Sequence, residues 1–326
     1  MVRFGQPDGG TRSTAAPPGL AGITTTTLRE IRSGEVYPTP VLLDRHMLTL
    51  VTVGHGGHDI DFETHHCRPG TLLRARPGQV VRLGDQPGLD AAVVYWREGT
   101  VHVDDPYGPT RWQLAGEDED AVINEVSQLV VDCQRHRSGE RAAALLRHQL
   151  TVLLLRIALL PTDGGTGLTG ATPPTGATPP LGGSSPAGAT VPDGASAAGT
   201  FARLCAEVER SYARTRRVED YARRLDCSVR TLTRACLAVT GRSAKQIVDD
   251  RVALQARRLL AATDLSIADV GRRLGFPEPT NFGRFFQREV GRSPGAFRAE
   301  LHRTPALRVP RQRQPLATAT RWDPVP

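Results

Sequence analysis

Apolar residues change their spacing twice along this chain, and each change marks a boundary. Between about residues 40 and 100 they form short runs, "MLTLVTVG", "VVRLG" and "DAAVVYWRE", rich in Val, Leu and Thr. Turn signals at Gly56-Gly57, Pro69-Gly70 and Pro77-Gly78 separate them. Short strands this closely punctuated predict a small antiparallel sandwich or barrel. From Asp118 the period becomes helical, with Val122, Val126, Leu129, Val130 and Cys133 on one side. A second helix is predicted from about Arg141 to Leu160. Leu145, Leu146, Leu150, Leu153, Leu154 and Ile157 make its apolar face so wide that it needs a partner, either the strand domain or the same helix of a second subunit.

Helical spacing stops at the Gly/Pro/Thr-rich stretch 161–198, where "TGATPP" occurs twice in succession. Such a composition buries no core and predicts a tether. Periodicity returns with Phe201, Leu204, Cys205, Val208 and Tyr212 and lasts to about Arg303. The ends, 1–22 and 304–326, are rich in Gly, Pro, Ser, Thr or Arg and predict disorder. The expected domains are therefore 23–160 and 199–303.

The second domain contains an internal repeat. "VEDYARRLDCSVRTLTRACLAVTGRS" aligns with "IADVGRRLGFPEPTNFGRFFQREVGRS", with one residue inserted in the second turn. Leu225 falls on Leu274, Leu232 on Phe282, Arg234 on Arg284 and Gly241 on Gly291. Each copy reads as a short helix, a tight turn and a longer helix. Ser228, Ser243, Ser266, Thr280 and Ser293 are the expected N-caps, and Gly241, Gly275 and Gly291 the C-terminal stops. The amphipathic helix "SAKQIVDDRVALQARRLLAAT" joins the copies and spans roughly 30 Å at 1.5 Å per residue. That is about one turn of B-form DNA, so one chain can place two helices in successive major-groove segments of an asymmetric site.

Charge agrees with this reading. The chain carries +7 overall, but from Phe201 onward 25 Lys plus Arg face 13 Asp plus Glu, while the rest is net acidic. A polyanion would bind the basic half. Five scattered cysteines, Cys67, Cys133, Cys205, Cys227 and Cys236, have no zinc or disulfide spacing and read as buried thiols of a reducing cytosol. With no signal pattern and with Arg156 interrupting the longest apolar run, the expectation is a soluble cytoplasmic protein without a membrane partner.

The motifs "DLSIADVGRRLGF" and "GRSPGAFR", with an aromatic-rich helix between them, resemble the AraC/XylS family of bacterial transcription regulators over about Phe201 to Leu301. The resemblance implies a seven-helix DNA-binding domain with two helix-turn-helix units. It carries base reading onto Arg230, Thr233 and Arg234 of the first unit and Thr280, Asn281 and Arg284 of the second. Thr231, Gly283 and Arg288 complete the expected DNA-facing set. Arginine suits guanine O6/N7 and asparagine suits adenine. Three features depart from the pattern: Asp226 replaces the usual turn glycine, "PEP" at 277–279 replaces a polar turn, and Gly283 stands where Ser or Thr is common. Phe282, Phe285 and Phe286 alternate with the polar side and read as core.

"RPGTLLRARPGQV" resembles the cupin-like sensory domain that precedes such DNA-binding domains. The expected fold is thus α+β and multidomain: a cupin-like β-barrel with two following helices, then the all-α double helix-turn-helix domain. The resemblance implies a small effector in the barrel and dimerisation through the helices; RNA polymerase is a further candidate partner. His46, Arg74, Tyr95 and Trp96 are the candidate effector contacts. Two alternatives stand beside this. In one, the barrel serves only to dimerise. In the other it is a metal cupin enzyme, which the cluster His46, His55, His58, His65 and His66 raises. Adjacent His65 and His66 point to opposite faces of a strand, and the later His is missing near Val81, so no metal or other cofactor and no catalytic residue is expected. No phosphate-binding, dinucleotide or nucleophile-elbow motif is present.

Overall fold

The computed structural model describes residues 19–33, 39–103, 108–161 and 196–303, the last with side chains to Leu301. The disorder expected for 1–22 and 304–326 and the tether expected for 161–198 lie outside the described residues except at their inner ends, where the structure corrects them: Leu20–Gly22 form a 3-10 turn with Leu20 and Ala21 packed on the core, and Ser196 caps a helix that starts at Ala197.

The N-terminal domain begins with a short 3-10 turn, Leu20–Gly22, then β1 (Ile23–Thr27) and α1 (Leu28–Arg32). Thr27 caps α1 through a reciprocal pair with Glu30. The remaining strands are β2 (Val41–Leu42), β3 (His46–Val53), β4 (Gly56–Ile60), β5 (Glu63–Cys67), β6 (Thr71–Ala75), β7 (Val80–Arg82), β8 (Asp90–Trp96) and β9 (Arg111–Gln113). They form two antiparallel sheets, ordered β1-β8-β3-β6-β9 and β2-β7-β4-β5. The expected closed barrel is therefore corrected to two open sheets packed face to face. A barrel needs one continuous hydrogen-bond ladder, and here each ladder ends at its own edge strands.

The five-stranded sheet is apolar on both faces. Met47, Val51, Leu73, Ala75, Val93 and Tyr95 face the smaller sheet, meeting Ile60, Cys67 and Val81. Leu48, Leu50, Leu72, Val94 and Trp96 face outward and are covered by α2 (Gly116–Arg135) and α3 (Glu140–Leu159). Burial on both sides removes strand alternation, which explains the near-continuous apolar run in β8. By length and composition α3 would suffice to cross a membrane. Its inner side, with Leu146, Leu150, Leu153, Leu154 and Ile157 buried, belongs to this core instead.

Among its described residues the C-terminal domain has seven helices: α4 (Ala197–Ser211), α5 (Val218–Arg224), α6 (Val229–Thr240), α7 (Ala244–Ala262), α8 (Ile267–Arg273), α9 (Pro279–Val290) and α10 (Pro294–Arg303). Ser228, Ser243, Ser266 and Ser293 accept N-terminal amides as caps. The N-cap of α9 is Glu278, not Thr280. Pro279 at the first helical position has no N–H to satisfy and a φ already suited to the helix, so α9 starts before Thr280. Gly241 and Gly291 end α6 and α9 in the left-handed conformation, with φ of 69° and 78°.

Each repeat has its own core. Leu204, Val208, Tyr221, Leu232, Cys236 and Val248 fill the first; Val252, Leu260, Val270, Phe282, Phe286 and Phe297 fill the second. α7 supplies both, its first half to one and its second half to the other. Arg216 ties them, its guanidinium stacked 3.5 Å over the Phe276 ring. All five cysteines are free thiols.

Candidate nucleic-acid interface

The two repeats place their second helices, α6 and α9, in matching settings. In α6, Leu232, Ala235 and Cys236 are buried while Arg230 and Arg234 are exposed. In α9, Phe282, Phe285 and Phe286 are buried while Thr280, Asn281 and Arg284 are exposed. Phe276, Phe282 and Phe286 contact one another through edge and tilted ring pairs, with centroids 5.4 and 5.9 Å apart. The aromatics are thus core, and the polar stripe is what each helix offers outward.

Ion pairing separates the arginines further. Most in this domain are engaged: Arg224 with Glu207 at 2.9 Å, Arg242 with Asp250 at 2.7 Å, Arg251 with Glu209 at 2.7 Å, and Arg272 with Asp269. The Asp269 carboxyl is held below its ordinary range by the Ser266 hydroxyl and then by Arg272. Arg230, Arg234 and Arg284, like Arg214 and Arg273, form no ion pair among the described residues, and these three alone of the five stand on the exposed stripes of α6 and α9. A guanidinium left without an acidic partner keeps its full donor set for an incoming acceptor.

The other predicted residues vary. Thr233 and Gly283 occupy equivalent half-buried positions, and a side chain added at Gly283 would meet nothing within 4 Å. Thr231 is half-buried, its hydroxyl 2.8 Å from that of Ser228 in the cap. Arg288 is engaged, 2.6 Å from Glu289 and 3.5 Å from Asp249. Sequence spacing showed its exposed face but not the acidic residue of α7 that comes up beside it.

Among the effector candidates, His46, Arg74 and Trp96 share the helix-facing side of the larger sheet, while Tyr95 points the other way, into the core between the sheets. His46 stacks on Trp96 with centroids 5.0 Å apart. Burial, then the charges of Arg74 and Arg76, pushes the His46 pKa down to about 4. Burial pushes the Tyr95 phenol up to about 12. A shallow cleft beside β9, lined by Trp112, Leu114, Asp118 and Leu160, includes none of the four. His58 and His65 face each other across β4 and β5. His58 is buried and accepts the Gly84 amide at 2.8 Å. No group of three His, Cys, Asp or Glu suited to a metal ion occurs among the described residues.

Residues 221–300, which hold both units, match the family described as a helix-turn-helix domain. The HTH-type transcriptional activator RhaS of Salmonella paratyphi B is 25% identical over 272 residues, 78% of this chain and 85% of that protein. The chain is similar to transcription regulators of the AraC/XylS family. It is a DNA-binding transcription regulator of AraC type. The DNA-binding domain of AdpA, solved in complex with a target DNA, is 34% identical to the regulator, spanning 31% of it and 91% of that domain, with a TM-score of 0.29. ToxT from Vibrio cholerae O395 is 9% identical to the regulator, spanning 87% of it and 99% of that chain, with a TM-score of 0.40.

Proposed function

We propose that this regulator reads an asymmetric duplex site, one half with α6 and the other with α9, under the control of a small effector held by the N-terminal domain. The observation that carries the reading is the exposed, ion-pair-free state of Arg230, Arg234 and Arg284 on two equivalent helices, amid arginines that are mostly engaged. Arg234 and Arg284 are assigned to guanine and Asn281 to adenine, with Arg230, Thr233 and Thr280 beside them. Thr231 and Gly283 lie along the phosphate-facing side. Arg288 contributes charge there once DNA competes with its acidic partners.

Residues 199–303 are the DNA-binding domain and 23–160 the sensor and dimerisation domain. His46, Arg74 and Trp96 form the effector-facing group; Tyr95, on the opposite face, supports the core behind them. Dimerisation uses the outer face of α3, where Leu145, Val152, Leu155 and Leu159 are 42, 44, 51 and 86% exposed and lie seven, three and four residues apart, the spacing of a helix seam. A second copy of the same stripe satisfies both subunits at once. The protein acts in the cytoplasm, on chromosomal DNA.

Selection from a random duplex pool with the full chain tests the reading. The expected result is an enriched asymmetric site about two helical turns long, bound with an affinity that falls steeply as salt rises. Recovery of no common sequence would overturn it.

A further inference from the structure

The N-terminal domain touches the DNA-binding domain through the turn between β4 and β5. Asp61 and Phe62 both have left-handed φ, 51° and 72°. For Phe this is a rare conformation, kept only where surrounding contacts over-determine it. Here they do. The Asp61 carboxylate accepts the Val80 amide at 3.0 Å and the Gln79 side chain at 2.7 Å, and its own amide donates to the Val80 carbonyl at 2.8 Å.

The same carboxylate receives a two-pronged bond from Arg258 of α7, Nε at 2.8 Å and Nη2 at 2.6 Å. The pair is largely shielded from water, with side-chain exposures of 9% for Arg258 and 14% for Asp61. The Phe62 ring lies under the Arg257 guanidinium at 4.2 Å and edge-on to Phe297 of α10 at 5.6 Å. Val80, Ala261 and Ala262 are buried around it, with Leu42 and Leu301 packed against them.

Every partner named here from the C-terminal domain belongs to the second half of α7 or to α10. Among the described residues, the core of the first helix-turn-helix unit contains no N-terminal residue, whereas Phe62 packs onto the core of the second. Phe297 in turn meets Phe286 of α9 at 5.6 Å, so two ring contacts lead from the turn to the helix assigned to the second half-site. On the sensor side, the neighbours Ile60 and Val81 lie in the core between the sheets. A shift of β4 against β7 there moves the turn directly.

We propose that the Asp61–Phe62 turn is a regulatory latch that couples the N-terminal domain to the second helix-turn-helix unit alone. Closed, it pins α7 and α10 and fixes the setting of α9; open, it frees α9 while leaving α6 as it was. The latch leaves the outward stripes of both helices exposed, so it acts on the placement of α9 and not by covering it. Its regulatory role rests on the reading of the N-terminal domain as a controlling domain.

Hydrogen exchange on the full chain tests the contact without DNA or effector. Asp61→Asn keeps a residue that tolerates left-handed φ while removing the charge, and Arg258→Gln removes the other partner. Each is expected to speed exchange several-fold in residues 258–262 and in α10, with α5 and α6 unchanged, and the double variant should add little. Unchanged exchange, or an increase spread equally over both units, would overturn the latch. Selection from a random duplex pool then tests its role. The Asp61→Asn protein should change the recovered sequence only in the half assigned to α9. A site identical to wild type would overturn the regulatory role and leave the DNA reading intact; failure of the wild type to select any site would instead sink the DNA reading, with the exchange result still standing.

Discussion

Asp226 and Gly275 occupy the same corner of the two helix-turn-helix units, directly after Leu225 and Leu274, and both turn the chain through left-handed φ, 51° and 75°. Glycine does this without strain; a residue with a Cβ does so at a cost of about 1–2 kcal/mol. Asp226→Gly should therefore stabilise the first unit by up to about 1 kcal/mol, the glycine's greater unfolded-state entropy offsetting part of the gain. At Gly275 a Cβ would also sit 2.9 Å from the Ala213 carbonyl oxygen. Gly275→Ala should destabilise by about 1–3 kcal/mol. Urea midpoints of the two variants should move in opposite directions.

Gly283 makes the opposite case. It lies inside α9 with no positive φ, and nothing stands within 4 Å of where its Cβ would be. Gly283→Ala should stabilise by about 1 kcal/mol through helix propensity alone. Gly283→Ser should gain less stability but bind DNA more tightly than Gly283→Ala, because its hydroxyl can reach a phosphate. Thermal unfolding and duplex titration check the two parts separately.

These positions show what was legible beforehand. The repeat carried its own punctuation: Ser228 and Ser266 start helices and Gly241 and Gly291 end them, all readable from local chemistry. Closure of the strand domain was not readable, since short strands and Pro-Gly turns serve an open sandwich as well as a barrel. β1, "ITTTT", was missed because four threonines show no apolar alternation, yet it pairs along its length with β8. The Asp61–Arg258 bond was beyond reach because its partners are 197 residues apart. The same limit hid Asp249 beside Arg288, a contact between two helices.

The outer face of α3 should hold two subunits together. Leu155 is half exposed and Leu159 almost fully exposed, so charge placed there leaves the core untouched. Leu155→Glu with Leu159→Glu should convert a dimer to a monomer in sedimentation, with circular dichroism unchanged. A wild type that sediments as a monomer at micromolar concentration would rule out the stripe as the dimer seam.

Two histidines, His58 buried and His46 half-buried, make the N-terminal domain acid-sensitive. Burial, reinforced by nearby arginines, takes His46 and His58 from an ordinary value of 6.5 to about 4 when folded. The unfolded chain then binds more protons than the folded one between those values. Their contribution is fully present above pH 6.5 and is lost as pH falls toward 4. Urea midpoints should decline over that window. His58→Asn, whose side-chain oxygen can still accept the Gly84 amide, should flatten the decline whatever its effect at neutral pH.

The central claim is that one chain reads two half-sites with two equivalent helices. The most direct measurement is sequence selection with the full chain, comparing wild type, Arg234→Ala and Arg284→Ala over a salt series. Each substitution should relax the preference at one position of its own half-site by about 1–3 kcal/mol and leave the other half unchanged. Loss of affinity uniform across all sequences in both variants would contradict the account, and would make these arginines phosphate contacts with no part in base reading.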